Sequence, residues 1–114
     1  MLKQQYLEDK SRAGVYAITN LTSGRVLVGG SMDVQGALNR HRFELRQGTH
    51  RNKLLSEEWA LHGESNFCFD VLDLVKPTDD ASFDVARELN DLVSMWRQEL
   101  LQGKDDYEFS GKAS

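Results

Sequence analysis

Two β-rich runs, GVYAITN over Gly14–Asn20 and RVLVG over Arg25–Gly29, stand on either side of LTSG, whose Ser23-Gly24 pair favours a turn. β-prone runs this close in sequence pair most simply as an antiparallel hairpin. A hairpin alone buries too little to be stable, so the remaining chain must extend the sheet and cover it.

The next seventy residues supply both an extension and a cover. Asp33 can cap a helix in which Val34, Ala37, Leu38, His41 and Leu45 recur at spacings of three and four, with Gly48 as its stop. A shorter helix is expected over 52–62, placing Leu55 and Trp59 on one face and ending at Gly63. The run NFCFDVLDLV over Asn66–Val75 alternates apolar and polar residues, which predicts a third strand beside the hairpin. Pro77 marks the exit from that strand, and TDDAS offers caps for a long helix. Val85, Leu89, Leu92, Val93, Trp96 and Leu100 form the apolar stripe of that helix, closed by Gly103. The order β-β-α-α-β-α describes an α+β domain, a three-stranded antiparallel sheet flanked by helices. At 114 residues the chain fits one core rather than two. The expected organisation is a polar segment over 1–12, the domain over 13–103, and a polar, flexible tail over 104–114.

No apolar run approaches the roughly 20 residues a membrane span needs. The polar start MLKQQYLEDKSR carries no export signal, so a cytoplasmic location is expected. A single cysteine, Cys68, leaves no intramolecular disulfide and no cysteine-rich zinc site. Between Phe67 and Phe69 it reads as a small hydrophobe in a strand. His50 and His62 lack metal-ligand spacing and read as surface residues, and Gly29-Gly30-Ser31 reads as a turn.

The net charge is −4, whereas nucleic-acid binders usually carry the opposite sign. The distribution is uneven. Arg40, Arg42, Arg46, Arg51 and Lys53 crowd one helix and the loop after it, with Glu44 as the acid among them. Such a cluster is either a solvated helix face or a surface for a phosphate backbone. Acids predominate from Asp70 to Glu108, which reads first as solubility, with a surface for a basic partner or a mimic of nucleic-acid charge as alternatives.

Over roughly residues 13–75 these features together resemble the GIY-YIG nuclease superfamily. Gly14-Val15-Tyr16 is similar to its first signature, and Leu27-Val28-Gly29 stands where the second belongs. Asn20 and Gly24 fit its hairpin; Asp33-Val34, His41, Asn52, Leu55, Trp59, Gly63, Asn66 and Phe67 come next in its order. The chain is most similar to the compact homing members found in phages, which implies a phage or prophage source. The resemblance implies a GIY-YIG-like fold bearing a site that cuts DNA phosphodiesters with one divalent metal. That site draws on tyrosines from both signatures, an arginine and a histidine one turn apart on the first helix, and a metal-binding glutamate on the last. In-line attack on a phosphodiester needs an activated water, neutralised oxygens and a stabilised leaving group. A hard cation such as Mg²⁺ takes carboxylate oxygen.

Carried over residue by residue, the pattern keeps Tyr16 and His41. The second tyrosine falls on Leu27, the arginine on Ala37 and, with Trp96 as anchor, the glutamate on Val93. Gly30 replaces a residue that is often serine or threonine. Read without the family, Tyr16 is a core aromatic and His41 a hydrogen-bonded residue at the core edge. The expectation is a degenerate pseudo-nuclease retained for binding, either of DNA through the basic residues or of a protein partner as inhibitor or adaptor, with no cofactor. The first alternative is an active endonuclease using Mg or Mn, built from Tyr16, His41, Arg40 and the substitute ligand Glu88. The second is an oligomerising domain with the former site as its interface.

Overall fold

The computed structural model describes residues 12–76, 78–101 and 107. The readings of Pro77, Gly103, residues 1–11 and all of 104–114 but Tyr107 lie outside the described residues.

The hairpin forms from β1, Gly14–Asn20, and β2, Val26–Ser31, and β3, Phe67–Leu74, pairs antiparallel on the other side of β1. The strand order is therefore β2-β1-β3, with a register shift between Val15 and Tyr16 where β1 meets β3. The turn closes as the sequence leads one to expect. Gly24 takes a positive φ of 79°, and the Asn20 side-chain oxygen accepts the N–H groups of Thr22 and Ser23 at 2.9 and 3.2 Å. Asn20 is fully buried, and that same oxygen also accepts from Asn66 Nδ2 at 2.7 Å, tying the hairpin to the start of β3.

Alternation along β1 sends its side chains to two faces, and each face has its own core. Tyr16 and Ile18, with Leu27 of β2, pack under two helices, α1 over Val34–Gln47 and α2 over Lys53–His62. Val15 and Ala17, with Val26 and Val28, face α3, Val85–Leu100, through Leu89 and the partly buried Leu92, Val93, Trp96 and Leu100. The architecture is the α+β arrangement of a three-stranded antiparallel sheet between helices.

Local chemistry fixes the helix ends. Asp33 accepts from Gly36 N–H at 2.9 Å to start α1. Gly48, at φ 77°, ends it: its N–H reaches the Leu45 carbonyl while the N–H of Thr49 reaches that of Glu44, a Schellman reversal that turns the chain back along the helix. Asn52 caps α2 by accepting from Leu55 N–H at 3.0 Å. The cap of α3 is Asp84, which accepts from Arg87 N–H at 3.1 Å, and lies beyond the TDDAS stretch; within that stretch Asp80 instead closes a turn onto Ser82.

Two further departures from the sequence reading bear on the site. Gly29, Gly30 and Ser31 continue β2 rather than forming a turn, with Ser31 paired to Gly14. A Cβ on Gly29 would come within 2.6 Å of the Tyr16 hydroxyl, and one on Gly30 within 2.6 Å of Val93 Cγ2, so neighbours on opposite faces occupy the space. Tyr107, in the stretch read as a polar tail, is buried with 0% exposure in the core beneath α1 and α2. Among the described residues no helix is long and apolar enough to cross a membrane.

Candidate functional site

The functional side chains come from β1, α1 and the connection between α1 and α2. Tyr16 lies on the helix-covered face of the central strand, its hydroxyl over the bare Cα of Gly29. That hydroxyl meets His41 Nε2 at 2.8 Å. His41 Nδ1 in turn meets His50 Nε2 at 2.7 Å, the two rings stacked with centroids 4.9 Å apart. His50 Nδ1 accepts the backbone N–H of Asn52 at 3.0 Å. A continuous polar chain thus runs from the cap of α2 through two imidazoles to a phenol.

The chain borders a cleft of about 790 Å³. Tyr16, His41 and His50 line it together with Leu27, Asn52, Glu44 and two arginines, Arg40 and Arg51. Burial lowers His41 to about 4; the fields of His50, Arg40 and Arg51 act the same way and Glu44 opposes them. His50 is lowered chiefly by burial, Arg51 adding and Glu44 opposing. Both rings are therefore neutral at pH 7. Burial raises the Tyr16 phenol, against the opposing fields of Arg40 and of Arg97, whose guanidinium reaches from α3 to the Val28 carbonyl at 3.1 Å. The cleft thus offers two guanidinium cations, the Glu44 carboxylate and a protonated phenol beside two neutral imidazoles.

The structure brings together some of the residues singled out from sequence and separates others. Tyr16 and His41 meet, as do Arg40 and Arg51 at the cleft. Arg42 and Arg46 belong elsewhere: Arg46 holds Glu64 with two hydrogen bonds at 2.8 and 2.5 Å, and Arg42 lies 4.3 Å over the Phe69 ring and 3.9 Å from Glu64. Lys53 is exposed at the first turn of α2. The basic run is thus two groups, because residues 40 and 44 share one side of α1 while 42 and 46 share another.

The three positions at which the resemblance implies a substitution, Leu27, Ala37 and Val93, do not form one exposed patch. Leu27 and Ala37 are 5% and 3% exposed in the core of one face, while Val93, partly buried, packs over Gly30 against the core of the other. Glu88 sits in the first turn of α3 and does not line the cleft. Among the described residues no three His, Cys, Asp or Glu side chains converge as a metal site, and Glu44 is the one carboxylate on the cleft wall. A single carboxylate is a minimal protein donor set for Mg²⁺, whose other ligands would have to come from water and substrate phosphate.

His50, read as a surface residue, is the main omission. Its signal was structural: a glycine stop ending α1 returns the chain beside the helix, so a histidine two residues past Gly48 comes back to His41. Glu44, one turn beyond His41 on the same helix, joins it on the cleft wall, which the helical spacing implies. Tyr107 had no local signal, since its partners are Glu58 and Asn52, far away in sequence.

No protein-family model matches the chain, and no curated protein matches it. Two solved structures are similar. The catalytic domain of the intron endonuclease I-TevI, in a point-mutant form, shares 24% identity at a TM-score of 0.61, covering 78% of this chain and 84% of its own. The catalytic domain of the homing endonuclease I-TevI shares 25% identity at a TM-score of 0.60, covering 78% and 88%. The sheet order, the helices on its two faces and this likeness together give the chain a GIY-YIG-like fold.

Proposed function

We propose that this domain is a pseudo-nuclease: a GIY-YIG-like fold that binds a DNA phosphate backbone in its cleft without cutting it. The observation that carries the reading is the composition of the cleft. The cleft presents Arg40, Arg51 and the Tyr16 hydroxyl, which suit phosphate oxygens, while Leu27 and Ala37 put buried apolar groups where the resemblance implies a tyrosine and an arginine. At the metal-ligand position Val93 packs against Gly30 and supplies no oxygen. Two exposed arginines on an otherwise acidic protein give weak, salt-sensitive attachment rather than sequence-specific recognition. The setting that fits this reading is the cytoplasm of a bacterial cell or its phage-infected counterpart. No resident cofactor is part of it.

A second reading, an active endonuclease with an atypical site, draws on the retained Tyr16–His41–His50 chain and on Glu44 as a single ligand for Mg²⁺ or Mn²⁺ recruited with the substrate. The binding reading is favoured because Leu27 and Ala37 bring no hydroxyl and no cation to the site and Glu44 is the one carboxylate among the described residues lining the cleft.

Fluorescence anisotropy with a labelled DNA duplex at rising salt tests the binding reading. Affinity should fall with salt at a slope matching roughly two phosphate contacts. An absence of binding at low salt would refute it and transfer the search to a protein partner.

A further inference from the structure

The hydrogen-bond chain has a direction, and one residue outside it sets that direction. A backbone amide can only donate, so the N–H of Asn52 at 3.0 Å requires a lone pair on His50 Nδ1. His50 is then neutral and carries its proton on Nε2, which lies 2.7 Å from His41 Nδ1. That nitrogen must accept, so His41 is also neutral and protonated on Nε2, and it donates across 2.8 Å to the Tyr16 oxygen. The Tyr16 O–H is left to point elsewhere, and the cleft that it lines is the open side. In this arrangement His41 cannot accept the phenol proton.

The Asn52 side chain is held in place at both ends. Its side-chain oxygen caps α2 through Leu55 N–H at 3.0 Å, and its Nδ2 donates to the Tyr107 carbonyl at 3.1 Å. Tyr107 is anchored in turn. Its ring is buried under the Arg25 guanidinium, 5.8 Å from the ring centre, and its hydroxyl donates to Glu58 Oε1 at 2.5 Å. Glu58 also accepts from Asn20 Nδ2 at 2.8 Å and from Arg25 Nε at 3.2 Å, so the anchor is fastened to the hairpin turn.

We propose that Asn52, pinned by the Tyr107 carbonyl, is a positioning residue that locks His50 and His41 in their Nε2–H tautomers and so fixes Tyr16 as a hydrogen-bond donor into the cleft. The inference deepens the binding reading, since a donor phenol in a cleft that two arginines also line suits a phosphate oxygen and, so oriented, does not serve as a base. It also makes Tyr107 a support of the site, although Tyr107 does not line the cleft. The tautomers themselves do not depend on what the cleft binds.

Long-range ¹H–¹⁵N NMR of the full chain, ¹⁵N-labelled at histidine and held near pH 7, reads each ring's tautomer directly. His50 and His41 should each show a single Nε2–H form. Asn52→Ser keeps a cap oxygen for α2 and the backbone N–H but loses the side-chain donor to Tyr107 that holds that N–H against His50; it should give a mixture of both tautomers at His50. Asn52→Asp makes the same comparison if the serine variant does not fold. A wild-type His50 or His41 protonated on Nδ1 would overturn the proposal, as would unchanged single tautomers in a folded Asn52 variant. These outcomes are separable from the binding reading: DNA binding with the wrong tautomers sinks only the lock, and correct tautomers without DNA binding sink only the ligand.

Discussion

The Tyr16 hydroxyl meets His41 Nε2 at 2.8 Å, joining the central strand to the first helix. The phenol supplies an acceptor for a ring that burial and its neighbours keep neutral, and Gly29 leaves the space in which they meet.

The sign of the His41 shift makes stability depend on pH. The folded value of about 4 lies below the ordinary 6.5, so the unfolded chain takes up a proton first as the pH falls. The contribution is fully present above pH 6.5 and is lost as the pH falls towards about 4. His50, also lowered, acts in the same direction, while Glu44 opposes both and Arg40 and Arg51 reinforce His41. Urea midpoints for the wild type should decline across that window, and His41→Gln should flatten the decline. Equal slopes for the two proteins would contradict the assignment.

Restoring the nuclease pattern should cost stability. Ala37→Arg forces a long cation into a packed position at about 1–3 kcal/mol, and Val93→Glu places a carboxylate against Gly30 and Leu89 at a similar cost of about 1–3 kcal/mol. Leu27→Tyr shares the Ala37 core, so those two changes should not be additive. Thermal unfolding of the single variants checks this, and tolerance of all three would show that the site has not been repacked.

Arg40→Ala and Arg51→Ala should each weaken duplex binding several-fold and reduce the salt slope by about 1. Arg46→Ala should leave binding unchanged, because Glu64 already holds that guanidinium. Anisotropy at several ionic strengths separates the two outcomes; equal losses at Arg40 and Arg46 would restore a single basic patch in place of two groups.

Tyr107 should behave as a core residue. Removing its buried ring in Tyr107→Ala should cost about 3–5 kcal/mol, and Tyr107→Phe, which takes only the hydrogen bond from Glu58, about 1–2 kcal/mol. Denaturant unfolding measures both, and a neutral Tyr107→Ala would mean that this ring is not docked.

The legible parts of this protein are those written in local periodicity. The hairpin, the helix from Asp33 to Gly48, the short helix that Gly63 ends and the stripe of α3 follow from turn residues, caps and spacings of two or three to four. The contents of the cleft were only half legible. Tyr16 and His41 lie on elements whose faces can be read, so their meeting could be anticipated. His50 and Arg51 lie in a connection, where the side-chain direction depends on how the Gly48 reversal returns the chain. The basic run misled for a related reason: closeness in sequence placed five charges together, while helical geometry and Glu64 drew Arg42 and Arg46 away. Tyr107 was unreadable because its burial depends wholly on partners far away in the chain.

The most direct test of the central claim is incubation of the purified protein with supercoiled plasmid in Mg²⁺ or Mn²⁺ under low-salt conditions where it binds DNA. A pseudo-nuclease is expected to shift the plasmid in a gel while leaving it supercoiled. Metal-dependent nicking that is lost in Tyr16→Phe would contradict the account and make the cleft a working active site.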